Sequence, residues 1–247
     1  MLQKKIDCRQ PTDIWLSQLI DEMCRAIKNY MRRALKEEIS LNDYSFADYE
    51  STIELVSVAR FNVLWTMSVE QMFQSDHPMN EIKSVYQHLT TKVASLCKEV
   101  IHVIGGSGGS GEGGAEAETA ASNEVKMNKA QNLLNLYLSK RNQLFSFLQK
   151  NVTSSVDFAW KSSFRLFWKR EHDNIEARQG YAMQRFGNEY QAAFKVPLET
   201  ESTLKAQFAM FTSLHEYRPI YLKGSIFSGK SSCIIELAFR LGRYLGK

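Results

Sequence analysis

Gly224, Gly229, Lys230 and Ser231 stand in the spacing G-x-x-x-x-G-K-S, the Walker A pattern of a phosphate-binding loop. The residue types suit the chemistry. Glycine lets backbone N–H groups curl around phosphate oxygens, a lysine such as Lys230 reaches the terminal phosphates, and a hydroxyl such as that of Ser231 holds magnesium. Ser225, Ile226, Phe227 and Ser228 fill the loop, and Ser232 follows it. A short β-prone run, Ile220 to Leu222, leads in, and an apolar helical pattern from Ser232 to about Leu245 leads out. Such a helix would point its positive N-terminal end at the same anion. The chain ends 17 residues after Lys230, so the chain by itself is not expected to hydrolyse a nucleotide.

Upstream of the loop the pattern is helical. Ile14, Leu16, Leu19, Ile20, Met23, Ile27 and Leu35 recur at spacings of three and four, predicting an amphipathic helix over 13–39. A second is expected over 48–74, ending before Pro78, and a third over 79–104. Residues 105–114 then hold seven of the thirteen glycines, followed by an Ala/Glu run to Ser122. This composition cannot bury enough surface to offset its ordering entropy and predicts a flexible insertion over 105–122. Helical periodicity resumes at about Val125 and runs to Gln149. Phe158, Trp160, Phe164, Phe167 and Trp168 suggest one more helix over 156–169, its aromatic stripe facing a core. Residues 175–196 are β-prone, and 204–214 read as helix. The fold class expected is mainly α: a helical bundle followed by the beginning of an α/β phosphate-loop module made of strand, loop and helix.

Composition narrows the partners. The formal net charge of +4 is split unevenly, with 12 Lys+Arg against 17 Asp+Glu in residues 1–122 and 19 against 10 in residues 123–247. The basic charges are spread along helical patterns and do not form one block, so no nucleic-acid partner is expected. Cys8, Cys24, Cys97 and Cys233 make no C-x-x-C, and the five histidines make no zinc spacing. No uncharged apolar run approaches the ~20 residues of a membrane span. A soluble, intracellular chain with reduced thiols and no membrane partner is the expectation.

Several blocks, in order, resemble the dynein heavy chain family at the junction where the C-terminal part of its linker meets the first AAA+ module. Trp65, Thr66, Val69 and Glu70 match a W-T-x-x-V-E pattern. Phe158, Trp160, Arg165 and Trp168 resemble an F-x-W-x-x-x-x-R-x-x-W segment, and Arg178-Gln179 an R-Q element. Phe186, Gly187, Glu189 and Tyr190 resemble Y-G-Y-E-Y, and Val196, Pro197 and Leu198 fall where the family has T-P-L-T-D-R. The resemblance divides the chain into a helical linker segment (1–104), the insertion (105–122), an aromatic-rich helical end of the linker (123–195) and the start of the P-loop AAA+ module (196–247). Two departures stand out. The family loop reads G-P-A-G-T-G-K-T, whereas Phe227 occupies the place of its second glycine, and Glu199 to Glu201 replace the T-D-R of the lead-in. They resemble a divergent branch of the family more than a standard axonemal or cytoplasmic motor.

The resemblance implies ATP and Mg as ligands. Gly224 to Ser232 would wrap the phosphates, Lys230 would bridge β and γ oxygens, and Ser231 would hold Mg. Val196, Pro197 and Leu198 would wall the adenine or serve as an ordinary turn into the module. No catalytic residue is assigned in this chain. The parent chain would be a minus-end-directed microtubule motor, in which closure of a ring of AAA+ modules bends the linker. Its partners would be dynein intermediate and light intermediate chains, other dynein complex subunits, and microtubules reached through other parts of the parent chain. Its place would be the cytoplasm and cytoskeleton, with the axoneme of a cilium or flagellum as the narrower option. The other function compatible with Phe227 is a non-catalytic structural or assembly subunit of a dynein or axonemal complex.

Overall fold

The computed structural model describes residues 6–37, 39–105, 116–191 and 194–245. Its helices are α1 (Thr12–Lys36), α2 (Phe46–Glu50), α3 (Glu54–Gln74), α4 (Pro78–Gly105), α5 (Glu116–Lys150), α6 (Phe158–Lys161), α7 (Glu201–His215) and α8 (Lys230–Arg240). Between α6 and α7 lie strands β1 (Arg165–Lys169), β2 (Asn174–Gln179) and β3 (Ala182–Arg185), a three-stranded antiparallel meander in that order. The architecture is mainly helical with one small sheet, in keeping with the expected class.

Helix α3 is the axis of the core. Leu55, Val56, Val58, Phe61, Val63, Trp65 and Val69 are buried on more than one face, because α1, α2, α4, α5, α8 and β1 all pack against it. A helix enclosed in this way needs apolar residues all round and shows little amphipathic contrast. Phe61 packs edge-on to Tyr137 of α5 with ring centroids 4.9 Å apart. Burying one such ring contributes about 1.5–3 kcal/mol. The Tyr137 hydroxyl donates to the Tyr44 carbonyl at 2.9 Å, and the Trp65 indole donates to Gln143 at 3.1 Å, so α5 is held by hydrogen bonds as well as by area.

Four expectations are corrected. The 48–74 helix is two, since Ser45 caps α2 through a reciprocal pair with Asp48 and the chain turns at Ser51–Ile53 before α3. The aromatic helix over 156–169 is only the single turn of α6. From Arg165 the chain is strand β1, paired Arg165 to Arg178 and Lys169 to Asn174. Ser162 and Ser163 break the helix, and Arg165–Lys169, carrying Phe167 and Trp168, suits a pleated, half-buried surface. The run Ile220–Leu222 lies outside the sheet. Finally, α8 stops at Arg240 and does not reach Leu245. Gly242 at φ +59° accepts the left-handed turn, with Gly242 N–H on Phe239 O and Arg243 N–H on Ala238 O, both at 3.0 Å.

The flexible insertion falls partly outside the described residues, at 106–115. Its Ala/Glu portion from Glu116 is the first part of α5, where alanine and glutamate have high helix propensity.

Candidate nucleotide site at the head of helix α8

Residues Gly224–Gly229 form a loop that ends at the N-terminus of α8. Gly229, at φ +79°, is the residue before the helix, and no side chain caps the first turn. The first intrahelical bond runs from Cys233 N–H to Gly229 O at 3.0 Å. The N–H groups of Lys230, Ser231 and Ser232 therefore stand at the positive end of the helix without intrahelical partners. The Lys230 ammonium bends back over the loop and donates to Ser225 O at 2.6 Å, to Gly224 O at 3.1 Å and to Ser228 Oγ at 3.1 Å. Those three oxygens match its three protons and draw the loop into a ring about the charge. A Cβ at Gly224 would lie 2.9 Å from Ser228 Oγ, so a larger residue there would have to displace the Ser228 hydroxyl.

Ser231 and Ser232 lie exposed on the first helical turn, whereas Ile226 and Phe227 project into solvent, Phe227 completely. Phe227 has φ +59°, a left-handed conformation that is uncommon for a bulky side chain. The structure thus gathers Gly224, Ser225, Ser228, Gly229 and Lys230 about one point. An ammonium, unpaired helix N–H groups and a serine hydroxyl are a donor set suited to polyphosphate and a hydrated cation. Among the described residues no cluster of three or more His, Cys, Asp or Glu side chains is placed to hold a metal alone.

Val196, Pro197 and Leu198 are positioned by other elements. Val196 N–H donates to Asn132 Oδ1 at 2.7 Å, and its carbonyl accepts from Asn135 at 2.8 Å, both on α5. The next residue but two, Glu199, pairs with Arg240, which also pairs with Glu236 at 2.6 Å. Glu236 and Arg240 lie six and ten residues beyond Lys230, or about 9 and 15 Å along the helix axis. The lead-in segment therefore grips the far half of α8.

That grip is electrostatic and was not foreseen. Lys140 of α5, Glu199, Glu236 and Arg240 form a buried group of two cations and two anions, with Lys140 4% and Glu236 3% exposed. Burial alone would raise the Glu199 carboxyl, but Arg240 and Lys140 outweigh it and hold it below its ordinary value. Burial pushes the Lys140 ammonium down, and its two acidic neighbours only partly offset this. The spacing of Glu236 and Arg240 was a sequence signal, being one helical turn apart. Nothing local pointed to Lys140.

The blocks that carry the family resemblance meet in space. Trp160 Nε1 donates to Glu70 Oε1 at 2.7 Å, 90 residues apart in sequence, and Leu166 N–H donates to Thr66 Oγ1 at 3.2 Å across 100. The Arg165 guanidinium lies 5.7 Å from the centre of the Trp160 ring, and that of Arg178 lies 4.9 Å from the centre of the Phe167 ring. Gln179 donates to Ser162 O at 3.0 Å. Beyond the sheet, Gly187 N–H donates to Leu241 O and Glu189 N–H to Gly242 O, both at 2.8 Å. These contacts join α3 to α6 and β1, and the segment after β3 to the end of α8.

Comparison with known proteins bears on this chain of contacts. No family model matches. The chain is 21% identical to mouse dynein axonemal heavy chain 2 over 238 residues, 95% of its length. It is 21% identical over 94% of its length to the dynein-1-beta heavy chain of the flagellar inner arm I1 complex of Chlamydomonas reinhardtii, and 22% identical over 92% to human dynein axonemal heavy chain 10. These relatives are dynein heavy chains. The similarity is weak but nearly end to end, and it supports the dynein heavy chain family. The chain spans only 5% of the length of each of these three proteins. No helix among the described residues is long and apolar enough to cross a membrane.

Proposed function

We propose that this chain serves as the junction between linker and first AAA+ module of a divergent dynein heavy chain, and that Gly224–Ser232 hold Mg-ATP there. The observation that carries the reading is Lys230, folded over its own loop at the uncapped head of α8. Phosphate oxygens would replace the three oxygens that Lys230 now contacts. The N–H groups of the loop and first turn would share the negative charge, and the Ser231 hydroxyl would hold magnesium. Bound ATP and its magnesium would supply the chemical free energy, and this chain's residues bind and orient them. The far half of α8 is ion-paired to the lead-in segment through Arg240 and Glu199, and that segment is hydrogen-bonded to α5 through Val196. A displacement of α8 on nucleotide binding would therefore be transmitted to the linker helices as a rigid unit. In the parent chain this coupling would serve ATP-driven, minus-end-directed movement along microtubules, in the cytoskeleton or an axoneme, together with intermediate, light intermediate and other dynein subunits.

Phe227 favours a second reading, in which the loop is kept as a fold element in a non-catalytic structural or assembly subunit. Its left-handed backbone and full exposure place a ring where the resembling loops have glycine. ATP turnover by the parent heavy chain separates the two. Turnover that Lys230→Ala removes supports the motor reading, whereas an intact parent chain that binds microtubules and turns over no ATP supports the structural one.

A further inference from the structure

A cavity of about 480 Å³ lies between the C-terminal end of α1, α3 and β1, remote in sequence from the phosphate loop. Leu35, Val63, Leu64, Met67, Phe167 and Trp168 supply apolar wall, and Glu37, Arg60 and Arg170 are its charged residues. A volume of this size falls within the roughly 300–1,000 Å³ usual for small-molecule sites.

Arg60 is the unusual member. It sits on α3 and is 2% exposed, with its guanidinium 5.6 Å from the centre of the Tyr44 ring. Nη2 donates to Glu37 Oε2 at 2.9 Å, while Nε is buried with no hydrogen-bond partner. An unsatisfied buried N–H of a charged group is costly. Its ion-pair partner, Glu37, has a side chain 63% exposed and follows the last residue of α1 in an extended backbone. A well-built internal ion pair would engage Nε and Nη2 together, the side-on geometry in which a carboxylate accepts two parallel bonds. Glu37 supplies only one of them.

We propose that this cavity binds a small carboxylate with an apolar body. The carboxylate takes Nε and Nη2 of Arg60 side-on and displaces Glu37 into solvent, and the apolar body lies against Met67, Phe167 and Trp168. Arg170 at the same cavity leaves it with a net positive charge, which favours an anion over a neutral ligand. Glu37 acts as an internal competitor that keeps Arg60 neutralised when no ligand is present.

The test is calorimetric titration of the 247-residue chain with monomeric decanoate, and with decanol as the same body without the charge. Saturable binding of decanoate, with decanol about tenfold weaker or more, is expected. Glu37→Gln removes the competitor without touching the core and should tighten decanoate several-fold, leaving decanol unchanged. Arg60→Met should abolish the preference for the acid. If Arg60→Met fails to fold, the Glu37→Gln comparison decides alone. Equal affinity for decanoate and decanol, no binding to either the native chain or Glu37→Gln, or no response to Glu37→Gln would each overturn the proposal. None of these outcomes depends on whether the phosphate loop binds nucleotide.

Discussion

Replacing Glu199 by glutamine should cost the fold about 3 kcal/mol. In the native structure two cations, Lys140 and Arg240, face two anions, Glu199 and Glu236, with the side chains of Arg240, Glu199 and Glu236 only 10%, 13% and 4% exposed. Glu199→Gln leaves one positive charge in excess inside. Breaking a buried pair in this manner costs roughly 3–5 kcal/mol, and the surviving contact between Arg240 and Glu236 argues for the lower end. For a chain of this size that corresponds to a fall in Tm of about 6–12 °C. Removing Lys140 as well restores the balance of charge, so Lys140→Met combined with Glu199→Gln should be less destabilised than the two singles added together, by at least about 1 kcal/mol.

The pH dependence has a definite sign. Because the Glu199 carboxyl is held below its ordinary 4.5 in the fold, the unfolded chain binds the proton first as pH falls. Its contribution is complete above about 4.5 and is lost as pH drops through the lower folded value. Lys140, held below its ordinary 10.5 by burial, lowers stability at neutral pH, and that loss is relieved as pH rises towards 10.5. Urea unfolding followed by circular dichroism at about pH 4 and pH 7 reads the first effect and at about pH 7 and pH 10 the second, and Glu199→Gln should lose part of the acid sensitivity. A Glu199→Gln protein within about 0.5 kcal/mol of native at pH 7, or strictly additive effects in the double variant, would refute the buried quartet as the lock on α8.

Glu70→Ala should lower stability by about 1–3 kcal/mol, since it strands the buried Trp160 N–H; an unchanged urea midpoint would show that α3 and α6 are held by packing alone. Gly242→Ala should cost about 3 kcal/mol, combining a left-handed backbone with a Cβ 2.5 Å from the Phe186 ring. Retention of the native Tm would mean that the contact between the sheet and the end of α8 is not formed in solution. Phe227→Gly should stabilise the loop by about 1 kcal/mol, because no packing is lost from an exposed ring while the strain at φ +59° is relieved. Slower limited proteolysis at residues 224–229 is the readout, and faster cleavage would contradict it.

The long helices were legible because α1, α4 and α5 carry sustained three-and-four periodicity, and the β-prone character of 175–196 emerged as β2 and β3 only as far as Arg185, the described residues after it lying outside the sheet. The Walker A spacing located the loop and the head of α8 to within two residues. The segment 156–169 misled because Phe158, Trp160 and Phe164 recur at near-helical spacing, while the ladder to β2 that makes Arg165–Lys169 a strand is a non-local contact. Ile220–Leu222 has strand-forming residues but no paired neighbour. Gly242 could have been read as the stop of α8, since glycine is enriched just past helix ends, where it accepts the left-handed turn. Lys140 and Glu199 could not, because their charged neighbours on α8 are far away in sequence and are brought to them only by the tertiary fold.

The most direct test of the central claim is calorimetric titration of Mg-ATP into a chain continued through the rest of the first module, with Lys230→Ala and Phe227→Gly alongside. Saturable, magnesium-dependent binding that Lys230→Ala abolishes and Phe227→Gly preserves or tightens is the expected result. Absence of binding in the native chain with recovery in Phe227→Gly, or binding indifferent to Lys230→Ala, would contradict a working nucleotide site at the head of α8.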